Sequence, residues 1–161
     1  MSKAQVHIYT DGAASGNPGP GGYGIVMEWV GKPYQKEFSQ GYIRTTNNRM
    51  ELLAVIEALK KLKKPNLSVE IYTDSKYVVD AIEKNWLDRW QRTAFKDKKN
   101  VDLWKQYLMV SKAHQISFHW IKGHNNHPQN ERCDALAVNA YKNGNLIVDA
   151  GFESKTQSDL F

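Results

Sequence analysis

Two nearly identical pentapeptides close two strand-like runs, Ile8-Tyr9-Thr10-Asp11-Gly12 and Ile71-Tyr72-Thr73-Asp74-Ser75. Apolar and polar residues alternate in each, the period of a half-buried strand. Val6, Ile8 and Thr10 fall on one face of the first run, and Val69, Ile71 and Thr73 take the same positions in the second. Asp11 and Asp74 therefore leave their strands in the same phase, each at a C-terminal end. Parallel pairing would set the two carboxylates side by side at about the 4.8 Å spacing of neighbouring strands. Two bare anions that close repel by roughly 3–4 kcal/mol at an effective dielectric of 20. Such a pair calls for a cation to share.

The pattern around these runs predicts a mixed α/β fold. Residues 5–10 read as the first strand, and the Gly- and Pro-rich residues 12–22 as a loop. Residues 22–30 and 34–42 read as strands joined by the tight turn Gly31-Lys32-Pro33, which makes them antiparallel. From residue 46 to 63 the period becomes helical, with Leu52, Val55, Ile56, Leu59 and Leu62 on one stripe, and Pro65 ends the run. A strand over 67–73, helices over 75–84 and 101–112, a strand over 115–121 and a helix over 129–141 begun by Pro128 complete the reading. The expectation is a five-stranded mixed sheet, its first three strands antiparallel, flanked by helices. At 161 residues one domain is expected, with a body over residues 1–142 and a polar, mobile tail over 143–161.

Nothing near Met1 reads as a signal peptide, and no apolar run approaches a membrane span. The single Cys133 rules out an internal disulfide and fits a reducing cytoplasm. Charge is unevenly placed. Lys84, Arg89, Arg92, Lys96, Lys98, Lys99, Lys105 and Lys112, set against Asp88, Asp97 and Asp102, carry the whole formal charge of +5, and the rest of the chain balances. Trp86, Trp90, Phe95 and Trp104 are interleaved with these bases. The segment reads either as a solvated helix pair with core tryptophans or as a polyanion-gripping lobe.

Two further acids stand out. Glu51 lies one helical turn before Val55, and Asp134 one turn before Val138, each beside an apolar stripe. Taken singly, either could be a salt-bridge partner, Asp11 a turn residue, and Asp74 the N-cap of the helix after it. Taken together, two acids at strand ends and two near helix starts converge on the carboxyl edge of an α/β sheet. Four carboxylates without a cysteine call for a hard divalent cation, Mg²⁺ or Mn²⁺. Two such ions can activate a water and stabilise the leaving oxygen of a phosphodiester. His124, between the last strand and the last helix, reads as a surface loop histidine or as a general acid/base; a zinc site with His127 lacks partner ligands.

These residues sit in segments that resemble type 1 ribonuclease H of the bacterial ribonuclease HI kind. The resemblance runs from about Val6 to Tyr141 and rests on Tyr9-Thr10-Asp11-Gly12, Gly16-Asn17-Pro18-Gly19-Pro20-Gly21-Gly22-Tyr23-Gly24, Thr45-Thr46-Asn47-Asn48-Arg49-Met50-Glu51-Leu52, Thr73-Asp74-Ser75, Asn100-Val101-Asp102-Leu103-Trp104, Lys122-Gly123-His124 and Asn130-Glu131-Arg132-Cys133-Asp134. It implies hydrolysis of the RNA strand of an RNA–DNA hybrid, leaving 5′-phosphate and 3′-hydroxyl ends. By position it makes Asp11, Glu51, Asp74 and Asp134 the metal-binding acids and His124 the histidine that assists turnover. Arg44, Thr46 and Asn100 match a pocket for a DNA-strand phosphate, and Asn17, Asn47 and Asn48 match residues that enter the minor groove. Trp86 and Trp90 carry over only loosely, because the basic lobe is shorter than in well-known relatives. Lys76 departs from the neutral amide often found at its position. A nuclease of the same fold acting on another nucleic acid, and a silent hybrid-binding module, are the alternatives. The asparagines and Thr46 speak against the first, the full set of acids against the second. A monomer is expected. The final Gln157-Ser158-Asp159-Leu160-Phe161 resembles the short peptide that bacterial proteins insert into the sliding clamp.

Overall fold

The computed structural model describes residues 4–123 and 127–153. The two repeated runs are adjacent and parallel: β1 (Val6–Ala14) pairs with β4 (Ser68–Thr73), with Thr10 opposite Thr73. β1 also pairs antiparallel with β2 (Gly19–Trp29), and β2 with β3 (Gln35–Thr45). β5 (Gln115–Trp120) adds in parallel beyond β4, and β6 (Leu146–Ile147) in parallel beyond β3. The order β5-β4-β1-β2-β3-β6 makes six strands where five are expected. The sixth has two residues, too short to leave a periodic pattern.

Among the described residues five helices accompany the sheet: α1 (Asn47–Lys60), α2 (Lys76–Glu83), α3 (Trp86–Arg92), which packs on α2, α4 (Val101–Ser111) and α5 (Pro128–Asn143). The main core lies under α1, α2 and α4, where Ile8, Ile25, Ile71, Met50, Leu52, Ile56 and Trp104 are almost wholly buried. A smaller cluster of Tyr9, Val26 and Cys133, with Tyr72 and Leu136 against it, lies under α5.

The differences from the sequence reading have local causes. Residues 12–22 are mostly strand rather than loop: β1 continues through Ala14 and β2 starts at Gly19. The glycines there serve close packing more than turning. At Gly22 an added Cβ would meet the Ala137 carbonyl and the Ala140 side chain, so α5 settles directly on the backbone of β2. Thr46 caps α1, its hydroxyl accepting from the Arg49 N–H at 3.2 Å. α1 stops three residues before the predicted end, where the Lys61 N–H turns to the Ala58 carbonyl at 3.1 Å. Ser75, not Asp74, caps α2: its hydroxyl accepts from the Val78 N–H at 3.2 Å. The buried stripe of α5 is Asn130, Cys133, Ala137 and Ala140, and Asp134 borders it.

Between α3 and α4 the chain turns through left-handed backbone at Ala94, Phe95, Asp97 and Asn100. Buried Phe95 ties this segment to the core. Packed structure continues past Lys142, through β6 and a helical turn over 150–153, with Asp149 buried. Gln157, Leu160 and Phe161 lie outside the described residues. Among the described residues no helix is long and apolar enough to cross a membrane.

Candidate metal centre and nucleic-acid interface

Parallel pairing of β1 with β4 brings Asp11 and Asp74 together, as the repeat requires. α1 then delivers Glu51 to the same point. One carboxylate oxygen from each of Asp11, Glu51 and Asp74 lies within 4.8 Å of the others. Asp134, from α5 on the opposite face, lines the same cleft of ≈ 410 Å³, together with Asn47, Asn48 and Lys76. All four predicted acids thus border one cleft, three of them at mutual ligand distance.

The approach of α1 depends on Gly12. A Cβ there would run into the Glu51 nitrogen and the Met50 backbone. With no side chain in the way, the Gly12 N–H donates to Glu51 Oε1 at 2.7 Å and to Asp11 Oδ1 at 3.0 Å. Thr73 Oγ1 donates to Glu51 Oε2 at 3.4 Å. The acids are nonetheless costly together. Burial first, then the charge of Glu51 and those of Asp74 and Asp134, push the Asp11 carboxyl far above the usual range. Burial likewise raises Glu51, and hydrogen bonds from Asp11 and Gly12 pull the other way. Among the described residues, Asp11, Glu51 and Asp134 have no lysine or arginine in ion-pair contact. Hard oxygen donors, close spacing and the burial of Asp11 and Glu51 without a basic partner fit a divalent cation of the magnesium type.

A second cleft of ≈ 600 Å³ opens beside the first, with Asn17, Thr46, Asn48, Arg49, Asn100 and Phe152 among its lining residues. Asn100 sits in left-handed backbone before α4, and its side chain donates to the Tyr77 hydroxyl at 3.1 Å. Trp104 Nε1 donates to the same hydroxyl at 2.9 Å, so the core indole fixes the pocket wall. Asn17 Oδ1 accepts from the Asn47 N–H at 3.1 Å and ties the β1–β2 turn to the start of α1. Arg44, in β3, is not among the residues lining this cleft; its guanidinium lies 5.0 Å from the ring centre of Phe152, which is.

Beneath this cleft lies a network that the sequence reading misses. Arg49, only 3% exposed, donates to both oxygens of Asp149 at 2.7 and 2.9 Å and to both of Asp102 at 2.9 and 2.8 Å. Burial alone would lower the guanidinium's pKa, but these two carboxylates raise it, so Arg49 stays charged. Thr45 Oγ1 also donates to Asp149 at 2.7 Å. Arg49 and Asp102 stand inside the recognised segments, but nothing in their spacing announces a shared partner at Asp149.

In the basic lobe Trp104 is core, whereas Trp86 and Trp90 are half-buried, with ring centres 6.5 Å apart. They line a shallow cleft with Arg89, Lys96 and Lys98, and the Lys98 ammonium sits 5.3 Å from the Trp90 ring centre. His124 lies outside the described residues; the chain on either side places it between β5 and α5.

A mixed sheet flanked by helices, with acids gathered at its strand ends, defines the ribonuclease H-like class of fold. The RNase H family model matches residues 3–142. A Ribonuclease H of Desulforamulus reducens is 52% identical over 150 residues, covering 90% of this chain and 92% of that protein. Among solved structures, LC9-RNase H1, described as a type 1 RNase H with the type 2 active-site motif, superposes with a TM-score of 0.78 at 30% identity, covering 97% of this chain and 82% of that one. LC11-RNase H1, solved in complex with an RNA/DNA hybrid, gives a TM-score of 0.64 at 29% identity, covering 84% and 96%. The chain belongs to the RNase H family and is a ribonuclease H enzyme.

Proposed function

We propose that the enzyme cuts the RNA strand of RNA–DNA hybrids internally, leaving 5′-phosphate and 3′-hydroxyl ends. The observation that carries this reading is the cluster of Asp11, Glu51 and Asp74 within 4.8 Å, with Asp134 on the same cleft. These four acids would hold two Mg²⁺ ions, with Mn²⁺ as a substitute. When bound, such ions supply acidity to an attacking water and neutralise the leaving oxygen. Water adds in line to phosphorus, the bond to the 3′-oxygen breaks, and that oxygen takes up a proton. His124, which precedes α5 in the sequence, is the group suited to carry that proton.

Substrate choice follows from the neighbouring cleft. Arg44, Thr46 and Asn100 would take a phosphate of the DNA strand. Asn17, Asn47 and Asn48 would enter the minor groove, where a 2′-hydroxyl marks the RNA strand. Trp86 and Trp90, with the bases around them, would grip the backbone further along. The hybrid bound in the LC11-RNase H1 structure supports this substrate. The body would act in the cytoplasm as a monomer, with Gln157, Leu160 and Phe161 tethering it to a sliding clamp. Equal clamp affinity for a Leu160→Ala/Phe161→Ala variant would remove that last element. Incubation with RNA–DNA, RNA–RNA and DNA–DNA duplexes, in Mg²⁺ and in EDTA, tests the whole. Only the hybrid should be cut, only with metal, and only in its RNA strand.

A further inference from the structure

Lys76 is the first residue of α2, exposed, and on the rim of the acidic cleft. An ammonium beside several carboxylates would ordinarily close onto one of them. Lys76 makes no ion pair with any described acid. Its Nζ instead lies over the Trp120 ring, 4.7 Å from the centre. Trp120 is 45% exposed at the end of β5, which leaves a ring face open to the cation. The ring is also tethered, because its Nε1 donates to the Asp74 carbonyl at 3.1 Å. The cation is thus linked through the ring to the Asp74 backbone by one cation–π contact and one hydrogen bond. An ammonium held on a ring face keeps its remaining N–H donors directed to solvent, ready for an anion.

We propose that Lys76, positioned by Trp120, forms a phosphate-binding site for the strand being cut, on a phosphodiester next to the one that meets the acids. The proposal rests on the hybrid-cleavage reading and adds a contact to it. A nucleic-acid backbone entering the acidic cleft meets repulsion from every carboxylate not covered by metal. A fixed cation at the rim offsets that repulsion and sets the register of the strand. Trp120 acts through Lys76 and is a positioning residue.

The test is steady-state cleavage of a short hybrid by the full-length protein at 50–200 mM NaCl, for wild type, Lys76→Met, Lys76→Arg and Trp120→Leu. One phosphate contact fewer reduces the slope of log affinity against log salt by about one. The Lys76→Met deficit, carried mainly by KM, should therefore shrink about threefold between the lowest and highest salt. Lys76→Arg should restore wild-type behaviour, and Trp120→Leu should fall between. A single uncharged methylphosphonate beside the cut in the RNA strand should slow wild type but slow Lys76→Met no further. Mn²⁺ affinity should be the same in both proteins. An unchanged salt slope, additive effects of the methylphosphonate and Lys76→Met, or tighter metal binding by Lys76→Met would each overturn the proposal. Failure of wild type to cut the hybrid would instead overturn the functional reading on which it rests.

Discussion

Replacing Asp11 by Asn should make the metal-free enzyme more stable while destroying its activity. Asp11 is 5% exposed and has ligand oxygens of Glu51 and Asp74 within 4.8 Å. Each fully ionised pair at that distance costs roughly 3–4 kcal/mol at an effective dielectric of 20. Burial first, and this repulsion second, push both the Asp11 and the Glu51 carboxyls above their ordinary values, which favours a proton held in the metal-free cluster. A group whose pKa is raised by folding stabilises the protein fully below its unfolded pKa, and that contribution is lost as pH rises. The stability of the metal-free wild type should therefore fall as pH rises above about 4, through about 7 for Glu51 and onward toward about 11 for Asp11. An asparagine keeps the shape and can still accept the Gly12 N–H, but carries no charge to repel. The expected gain at pH 8 in EDTA is about 2–4 kcal/mol, a rise in Tm of roughly 5–12 °C for a chain of this size. Thermal and urea unfolding followed by circular dichroism would measure it. The gain should vanish near pH 4 and shrink when Mg²⁺ is added, because the ion favours the wild-type cluster. A variant no more stable than wild type in EDTA at pH 8, or equally stabilised at both pH values, would refute the reasoning.

Asp74→Asn should abolish hybrid cleavage while leaving hybrid binding within a few-fold of wild type, as read by fluorescence anisotropy in Mg²⁺. Asp149→Ala should cost roughly 2–4 kcal/mol in urea unfolding, because it strips buried Arg49 of one of its two carboxylates. Cleavage by Asp149→Ala should also fall, since Arg49 packs under the cleft that holds Thr46 and Asn100. Gly12→Ala should lower both stability and Mg²⁺ affinity, because the added methyl forces α1 and its Glu51 away from β1; calorimetry would read both effects.

Much of the candidate metal centre was legible in the sequence because it is built from short-range rules. Strand alternation fixes the phase of Asp11 and Asp74, and the repeat fixes their pairing, which the register of Thr10 with Thr73 bears out. Helical spacing placed Glu51 beside a buried stripe, and the structure puts it at 6% exposure. Where the reading failed, glycine was acting through tertiary contact. Gly22 and the glycines before it look like loop punctuation, yet Gly22 lets α5 lie on β2 and the segment lengthens the hairpin. The Arg49–Asp102–Asp149 network was hidden for another reason. Its members stand 53 and 100 residues apart, and opposite charges at such separations leave no periodic trace. β6 escaped because two residues cannot display a period. The left-handed turns of the basic lobe escaped because Ala94 and Phe95 are not residues that signal such backbone.

The account stands on divalent ions being held by side chains from β1, α1, the end of β4 and α5. Electron paramagnetic resonance titration with Mn²⁺, in wild type and in Asp11→Asn and Glu51→Gln, measures this directly. Saturable binding in wild type, weakened at least tenfold by either substitution, is the predicted result. Equal Mn²⁺ affinity in all three proteins would contradict it.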